Sequence, residues 1–590
     1  MRAPIVTAAL ILGLALLPAY GGQAQMVTES NVQTDVQPVT PTPQPQPASA
    51  QASQPAAPAA APAGNYRIAG TVLSAADGHP LQQATVRIFP PNRQGAAQTT
   101  TSDSSGQFSF TGIPAGTFSL QGSAPGFVTS SYEEHGIYNT GIVTGAGVDT
   151  ESLVLTLQPQ STISLTITDE SGEPVERASV HLFRQSPDPG DDHPIGISSG
   201  NTDDLGRYHS APLPPGTYFI AVQATPWYAV HPMRLDSEPQ SSVGFVDSIQ
   251  PGLDVAYPIT YYPGATDSSR ASPINVHGGD AVELSMQLRA EPAFTVTLPA
   301  PTPVFQEGPR NRNVPPPQPT FTQITTTIFG QTQFMPVQQY QNGDHMIVSG
   351  VPAGDYILRQ NGPGGNEGPS ASVRITDHSI SADAPSQSSS AHVNAELKAV
   401  DGTRVSRPTQ VVLLKNREVY RRVTVDQRGV ASFDIEPGDY TLSVQGGSRS
   451  LQLRQVLEHD QPVAGNRVHL AAGAQASYVL SVVPGDHTVR GVVQRDGKPA
   501  AGVFVLLIPT GDLGAPETFY RDQTDLDGSF QLRGIAAGDY TLFAVQHGWE
   551  LDWHKKATYQ NYLAHAVRVH IGDGAAGIPK LPEPVPAQAR

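Results

Sequence analysis

The stretch Ile113-Pro-Ala-Gly-Thr-Phe-Ser-Leu120 recurs four more times along the chain. The later copies are Leu213-Pro-Pro-Gly-Thr-Tyr-Phe-Ile220, Val351-Pro-Ala-Gly-Asp-Tyr-Ile-Leu358, Ile435-Glu-Pro-Gly-Asp-Tyr-Thr-Leu442 and Ile535-Ala-Ala-Gly-Asp-Tyr-Thr-Leu542. Each opens on an apolar residue and passes through a Pro- or Ala-rich pair to Gly. Phe or Tyr follows two residues after the Gly, and an aliphatic two further on. Side chains alternate along a strand, so this spacing puts both on one face. Pro presets φ before the Gly, and Gly permits a positive φ that closes a turn. Each copy reads as a turn followed by a half-buried strand.

Two further signals precede the copies. Asp-x-x-Gly followed by an aromatic appears as Asp103–Gly106 with Phe108, Asp203–Gly206 with Tyr208, Asp426–Gly429 with Phe433 and Asp525–Gly528 with Phe530. Asp opening and Gly closing is type I turn chemistry. The third unit keeps only Gly343. Further upstream, a turn precedes an alternating run: Asp77-Gly-His-Pro-Leu with Ala84 and Val86, Ser171-Gly-Glu-Pro-Val with Ala178 and Val180, Asp401-Gly with Val411, and Asp496-Gly-Lys-Pro-Ala with Val503 and Val505. The glycines of the five copies lie 100, 138, 84 and 100 residues apart, so the chain is a tandem array.

The Gly-x-Pro-x-x-x-Ala-x-Val run, Asp-x-x-Gly-x-Phe and Pro-Ala-Gly-x-Tyr-x-Leu together resemble the carboxypeptidase regulatory-like domain. The resemblance implies a transthyretin-type, prealbumin-like β-sandwich. The first, second and fifth units match it well, the fourth in part, and the third is degenerate. In carboxypeptidases this domain accompanies the zinc peptidase domain and is not catalytic, so the resemblance implies fold far more than activity. The expected fold class is all-β: a tandem array of about five Greek-key prealbumin-like β-sandwich domains joined by Pro/Ser-rich linkers.

Residues 1–24 read as a secretory signal peptide, with Arg2, the apolar run Ile5 to Leu17 and the small-x-small site Gly22-Gln-Ala24. Residues 25–65 are a Pro/Gln/Ala-rich spacer, expected to be disordered because it holds too little to bury. The units follow at 66–160, 161–290 with an extended second half, 291–378 with the Pro-rich insertion Val314-Pro-Pro-Pro-Gln-Pro319, 391–484 and 485–582. A Ser-rich linker, Ser379 to Ser390, precedes the fourth, and 583–590 reads as a disordered tail. Helical periodicity is nearly absent, apart from a turn or two expected within Trp553–Ala566. The load of 56 Gly and 55 Pro suits many tight turns.

A net charge of −17 gives nucleic-acid binding no electrostatic footing. No apolar run of membrane length follows the signal, so no transmembrane segment is expected after its removal. With no Cys, an exported chain must stand on packing without disulfides. Lys398, Lys415, Lys498, Lys555, Lys556 and Lys580 are the lysines. The first three units therefore lack the residue that the isopeptide bonds of collagen-adhesin B-type sandwiches require. The localisation that follows is secreted, periplasmic or cell surface.

Chemistry finds few residues. His547-Gly-Trp-Glu550 fits half of a zinc peptidase motif, but a distant third ligand is needed and the segment already closes a sandwich. Asp525-Leu-Asp527-Gly528 opens like a calcium loop, yet the twelfth position is Ala536 instead of Glu. No enzymatic activity, cofactor or metal is expected. The candidate ligand-binding residues are aromatics outside the repeated core pattern: Trp227, Tyr228, Tyr261, Tyr262, Trp549 and Trp553. Rings at sandwich ends stack on sugars or anchor partners, and they also serve as core. Two function classes stay open. One is an exported binding protein for a polysaccharide or an envelope protein, with carbohydrate binding or surface adhesion as its role. The other is a structural spacer or scaffold of the cell envelope, and a metallopeptidase-associated accessory role is the remote third. Limited proteolysis of the mature protein should cut around 300–319 and 379–391 while the flanking units survive; uniform degradation would contradict this division.

Overall fold

The computed structural model describes residues 64–90, 96–187, 189, 193–231, 252–300, 322–361, 367–381, 390–400, 405, 409–415, 418–446, 451–510, 519–553, 555–572 and 581–590. The signal peptide, nearly all of the spacer, the Pro-rich insertion and most of the Ser-rich linker lie outside the described residues. The described chain is a tandem array of five β-sandwiches, each with its own core. Among the described residues the α-helical content is Lys556–Gln560, within the segment expected to hold a turn or two of helix.

Every sandwich is assembled in the same way. Its first strand runs antiparallel to the strand after the Asp-x-x-Gly turn and parallel to its last strand. In the first sandwich, Tyr66–Ser74 lies between Gln107–Ile113 and Leu153–Leu157. In the second, Thr162–Thr168 lies between Arg207–His209 and Ala281–Gln287. The opposite sheet centres on the strand of the repeated stretch, such as Gly116–Ser123 beside Thr85–Phe89. The chain passes between the two sheets, so residues of period two from both inner faces meet in the core. Ile68, Val86, Phe108 and Leu120 are among those that meet in the first.

Hydroxyl groups hold the corners. Tyr218, Tyr356, Tyr440 and Tyr540 each turn back and donate to the carbonyl four residues earlier, at Pro214 (2.5 Å), Pro352 (2.8 Å), Glu436 (3.0 Å) and Ala536 (2.8 Å). Phe118 occupies this place in the first sandwich and has no hydroxyl. There Thr144 Oγ1 donates to the same carbonyl, Pro114, at 2.6 Å. The stretch is thus conserved in chemistry even where its aromatic changes, because a buried carbonyl must be paired.

A second staple joins the two upstream motifs. The hydroxyls of Ser102, Thr202 and Thr524, each buried just before the turn Asp, donate to Leu81, Val175 and Ala500 carbonyls. They accept from the amides of Ala84, Ala178 and Val503. The fourth sandwich has Val425 here and loses the staple. The turn glycines Gly106, Gly206, Gly429 and Gly528 have φ between 69 and 88°, and in three of them a Cβ would strike the first strand's carbonyl at 2.4–2.8 Å. Gly is required there on both counts.

The sequence misleads at one end. Residues 583–590 were expected to be disordered, yet Val585–Pro586 pairs in parallel with Val493–Gln494, and Val585 is buried. The tail is the closing strand of the fifth sandwich, the counterpart of Leu153–Leu157. A single buried valine between prolines gives no alternation to read, and the parallel position is what the repeat demands.

The corner bond has a measurable consequence. Tyr440→Phe should cost the fourth sandwich about 1 kcal/mol, the net worth of one hydrogen bond with its acceptor stranded. Tyr440→Ala should cost about 3–5 kcal/mol by emptying a buried aromatic site. Denaturant melts of the two variants should rank in that order; a Tyr440→Phe protein as stable as the parent would mean the hydroxyl contributes nothing.

Candidate functional site

The six aromatic candidates fall into three environments. Trp227 stands in solvent, 81% exposed, after the strand Gly216–Gln223. Its ring meets Tyr228 edge-on at 5.8 Å. The Tyr228 hydroxyl donates to Glu170, whose other oxygen faces the Tyr257 hydroxyl at 3.5 Å. Burial first, and then the Glu170 carboxylate, push Tyr228 up to about 12.

Tyr261 and Tyr262 are packed. Tyr261 is 4% exposed and meets Phe329 of the third sandwich at 5.1 Å. With Phe183, Ala221 and Ile328 it forms an apolar seam between the second and third sandwiches, and burial raises it to about 12. Tyr262 packs against the core of the second.

Trp553 is interior, 3% exposed, stacked on Phe504 at 5.2 Å, with its Nε1–H donating to the Gly548 carbonyl at 2.7 Å. Trp549 is half-buried between Phe504 at 4.5 Å and two residues of the first sandwich. His135 stacks on it at 5.6 Å with the rings 8° from parallel, and Tyr138 lies at 4.9 Å. Five of the six candidates are thus engaged by protein, and Trp227 alone is open.

Trp549 marks a contact that the sequence did not disclose: the first sandwich docks on the fifth. Gln523 Nε2 donates to the Glu133 carbonyl (2.7 Å) and to Thr140 Oγ1 (2.8 Å). Its Oε1 is 2.8 Å from His135 Nδ1, so the imidazole donates there. Thr140 Oγ1 passes its own proton to Glu133 Oε2 at 2.8 Å, which completes the chain of donors. Beside it, Gly141 N–H donates to Asp525 Oδ1 (3.0 Å), and Leu526 N–H donates back to the Gly141 carbonyl (2.9 Å). The Leu526 side chain packs against the core of the first sandwich.

The turn at Asp525 has left its ordinary work to do this. Asp103, Asp203 and Asp426 each accept, through Oδ1, from the amides two and four residues on, at 2.8–3.0 Å. Those bonds hold Asp103 and Asp426 below the usual carboxylate range, chiefly through Ser105 Oγ for the first and the Val430 amide for the second. Asp525 instead faces Gly141, and Asp527 takes over the Ser529 amide at 3.0 Å. Burial is the main force on Asp525, and with the Asp522 and Asp527 carboxylates it outweighs the Gly141 amide to push the group up to about 6. Asp522, which accepts from the Gln531 amide within its own sandwich, is raised to about 6 by burial.

In the half-motif considered for zinc, Glu550 pairs with Arg590. Among the described residues no three His, Cys, Asp or Glu side chains are grouped to hold an ion, and no helix is long and apolar enough to cross a membrane. His554 lies outside the described residues.

Residues 67–157 match the family model of the carboxypeptidase regulatory-like domain. That span is the first sandwich, one of the three units whose motifs resemble the family most. No curated protein matches the chain in sequence. Solved structures similar to it include the Bacillus anthracis TIE protein, at 11% identity over 68% of this chain and 68% of that one, with a TM-score of 0.15. The minor pilin GBS52 of Streptococcus agalactiae is 11% identical over 39% of this chain and 97% of its own, with a TM-score of 0.19. The major pilin subunit BcpA of Bacillus cereus is 10% identical over 55% and 99%, with a TM-score of 0.13. At these scores the superpositions carry no argument about function.

With the first sandwich docked on the fifth, acrylamide should quench Trp227 efficiently and leave Trp549 and Trp553 largely shielded. Trp227→Phe should therefore remove most of the quenchable emission; unchanged quenching would place the accessible indole in the fifth sandwich.

Proposed function

We propose that this chain is an exported, non-catalytic protein of the cell envelope or surface whose sandwiches serve as a scaffold. The observation that carries this reading is the fate of the aromatics. Rings that a binding array would present are spent on cores and on seams between sandwiches. A seam of buried aromatics fixes the mutual position of two sandwiches, which is what a spacer or scaffold needs, whereas a sugar platform needs rings in water. The corner hydroxyls support the same reading, since they stiffen each unit without placing a reactive group in a cleft.

A second reading, binding of a polysaccharide or an envelope protein, rests on Trp227 with Tyr228 at its edge. One exposed indole is a small platform, but it is the residue type best suited to stacking and to anchoring an interface. A glycan-array screen of the mature protein, run beside Trp227→Ala, separates the two. The scaffold reading expects no glycan retained above background. Retention that Trp227→Ala abolishes would replace it with the binding reading.

A further inference from the structure

The turn of the fifth sandwich that meets the first differs from its three sisters at two positions. The residue after the turn Asp is Ser104, Asp204 and Gln427 in the others and Leu526 here. A leucine at the tip of a solvent-facing turn has no partner within its own sandwich. It is matched to the apolar surface it meets across the contact. The Asp itself is redirected from its own amides to Gly141 of the first sandwich, where a Cβ would come within 2.5 Å of the carboxyl oxygen. We propose that this contact is a latch worked by Asp525, which acid closes and neutral pH releases.

The bond to Gly141 requires only an acceptor at Asp525 Oδ1, while Oδ2 accepts from the Ser529 hydroxyl at 3.5 Å. A neutral carboxyl supplies it through its carbonyl oxygen, so protonation keeps the bond to Gly141. A carboxylate supplies it too, but in poor surroundings. From its own turn it faces Asp522 and Asp527. From the first sandwich come Glu133, whose carboxylate is held by Thr140, and the His135 ring, committed to Gln523 and stacked on Trp549. Arg533 draws Asp522 down, and no cation is among the groups acting on Asp525. The ionised form is therefore half-buried among carboxylates without a cation of its own, the costly arrangement for a charge.

The direction follows from linkage. Released, Asp525 loses the first sandwich's share of its burial and moves back toward the ordinary 3.8, with Asp522 and Asp527 still beside it; latched, it ionises near 6. The latched form holds its proton more tightly, so closure strengthens as pH falls through about 6 and the gain is complete below about 4. Above 6 both forms are ionised and that contribution is gone. The difference corresponds to a change on the order of a hundredfold in the closing equilibrium. Asp522 is bound within the fifth sandwich in either form and does not set this difference.

The chain has no Cys, so a full-length variant carrying Thr111→Cys and Lys498→Cys reports the first-to-fifth distance by energy transfer between two dyes. We expect one high-transfer population at pH 4.5 and a second, low-transfer population at pH 7.5. Asp525→Asn, which keeps the acceptor and removes the charge, should stay closed at both. Leu526→Gln, which copies the fourth sandwich, should open the contact at both, with circular dichroism confirming that the sandwiches remain folded. Identical transfer at the two pH values in the parent would overturn the proposal. So would a pH response that survives Asp525→Asn, or a contact indifferent to Leu526→Gln.

Discussion

One buried carbonyl decides the form of the repeated stretch. It belongs to the second residue of each copy, where the chain turns from one sheet into the other, and it has no ladder partner. Tyr218, Tyr356, Tyr440 and Tyr540 reach back four residues to satisfy it, and Thr144 does so for Phe118. The aromatic therefore does two things at once: its ring fills the core and its hydroxyl ties the corner. An unpaired carbonyl in that place would cost on the order of 1–3 kcal/mol, a large fraction of a small sandwich's stability. With no Cys anywhere, such hydroxyl ties at Tyr, Ser102, Thr202 and Thr524 hold the corners without any disulfide.

The two seams between sandwiches obey different physics. Between the second and third, Phe183, Ala221, Tyr261 and Ile328 exclude water from an apolar patch, with Phe329 against three aromatic rings. Burial holds the Tyr261 hydroxyl neutral, up to about 12, so this patch carries no charge that changes near neutral pH. Between the first and fifth, most contacts are hydrogen bonds through Gln523, Thr140, Gly141 and Asp525, with Leu526 and Trp549 as the apolar anchors. Trp549 Nε1 is buried there without an acceptor, so this seam begins with a deficit. A fixed joint and a conditional one are thus built from the same repeat.

The repeat was legible because its signals are local. Period-two spacing and the turn at the repeated Gly return five times and Asp-x-x-Gly four, each acting within a dozen residues, and together they point to the all-β array. The tail was not legible, since Val585 joins a parallel strand ninety residues earlier and parallel pairing leaves no mark in adjacent residues. Trp549 and Trp553 do lie outside the repeated core. Their spacing could not say that one would form a second core with Phe504 and the other would meet a sandwich more than four hundred residues away. Leu526 was visible in principle: set beside Ser104, Asp204 and Gln427, it is the apolar member of a polar column, the signal of a covered turn.

Acid acts on the whole chain as well as on one carboxyl. With 52 Asp and Glu against 35 Lys and Arg, the molecule repels itself more strongly as its acids ionise, and this too disfavours drawing the first sandwich onto the fifth. The two effects have the same sign but different reach. Diffuse repulsion is spread over exposed carboxylates, many held at or below their ordinary range by turn amides and therefore ionised well below pH 5. It is also screened over about 10 Å in ordinary salt. Asp525 loses its proton later, near 6, in a half-buried site where screening is weak. Asp522 beside it also changes charge in that window, but it accepts from the Gln531 amide of its own sandwich, so a single neutral substitution at Asp525 separates a local latch from the charge of the chain.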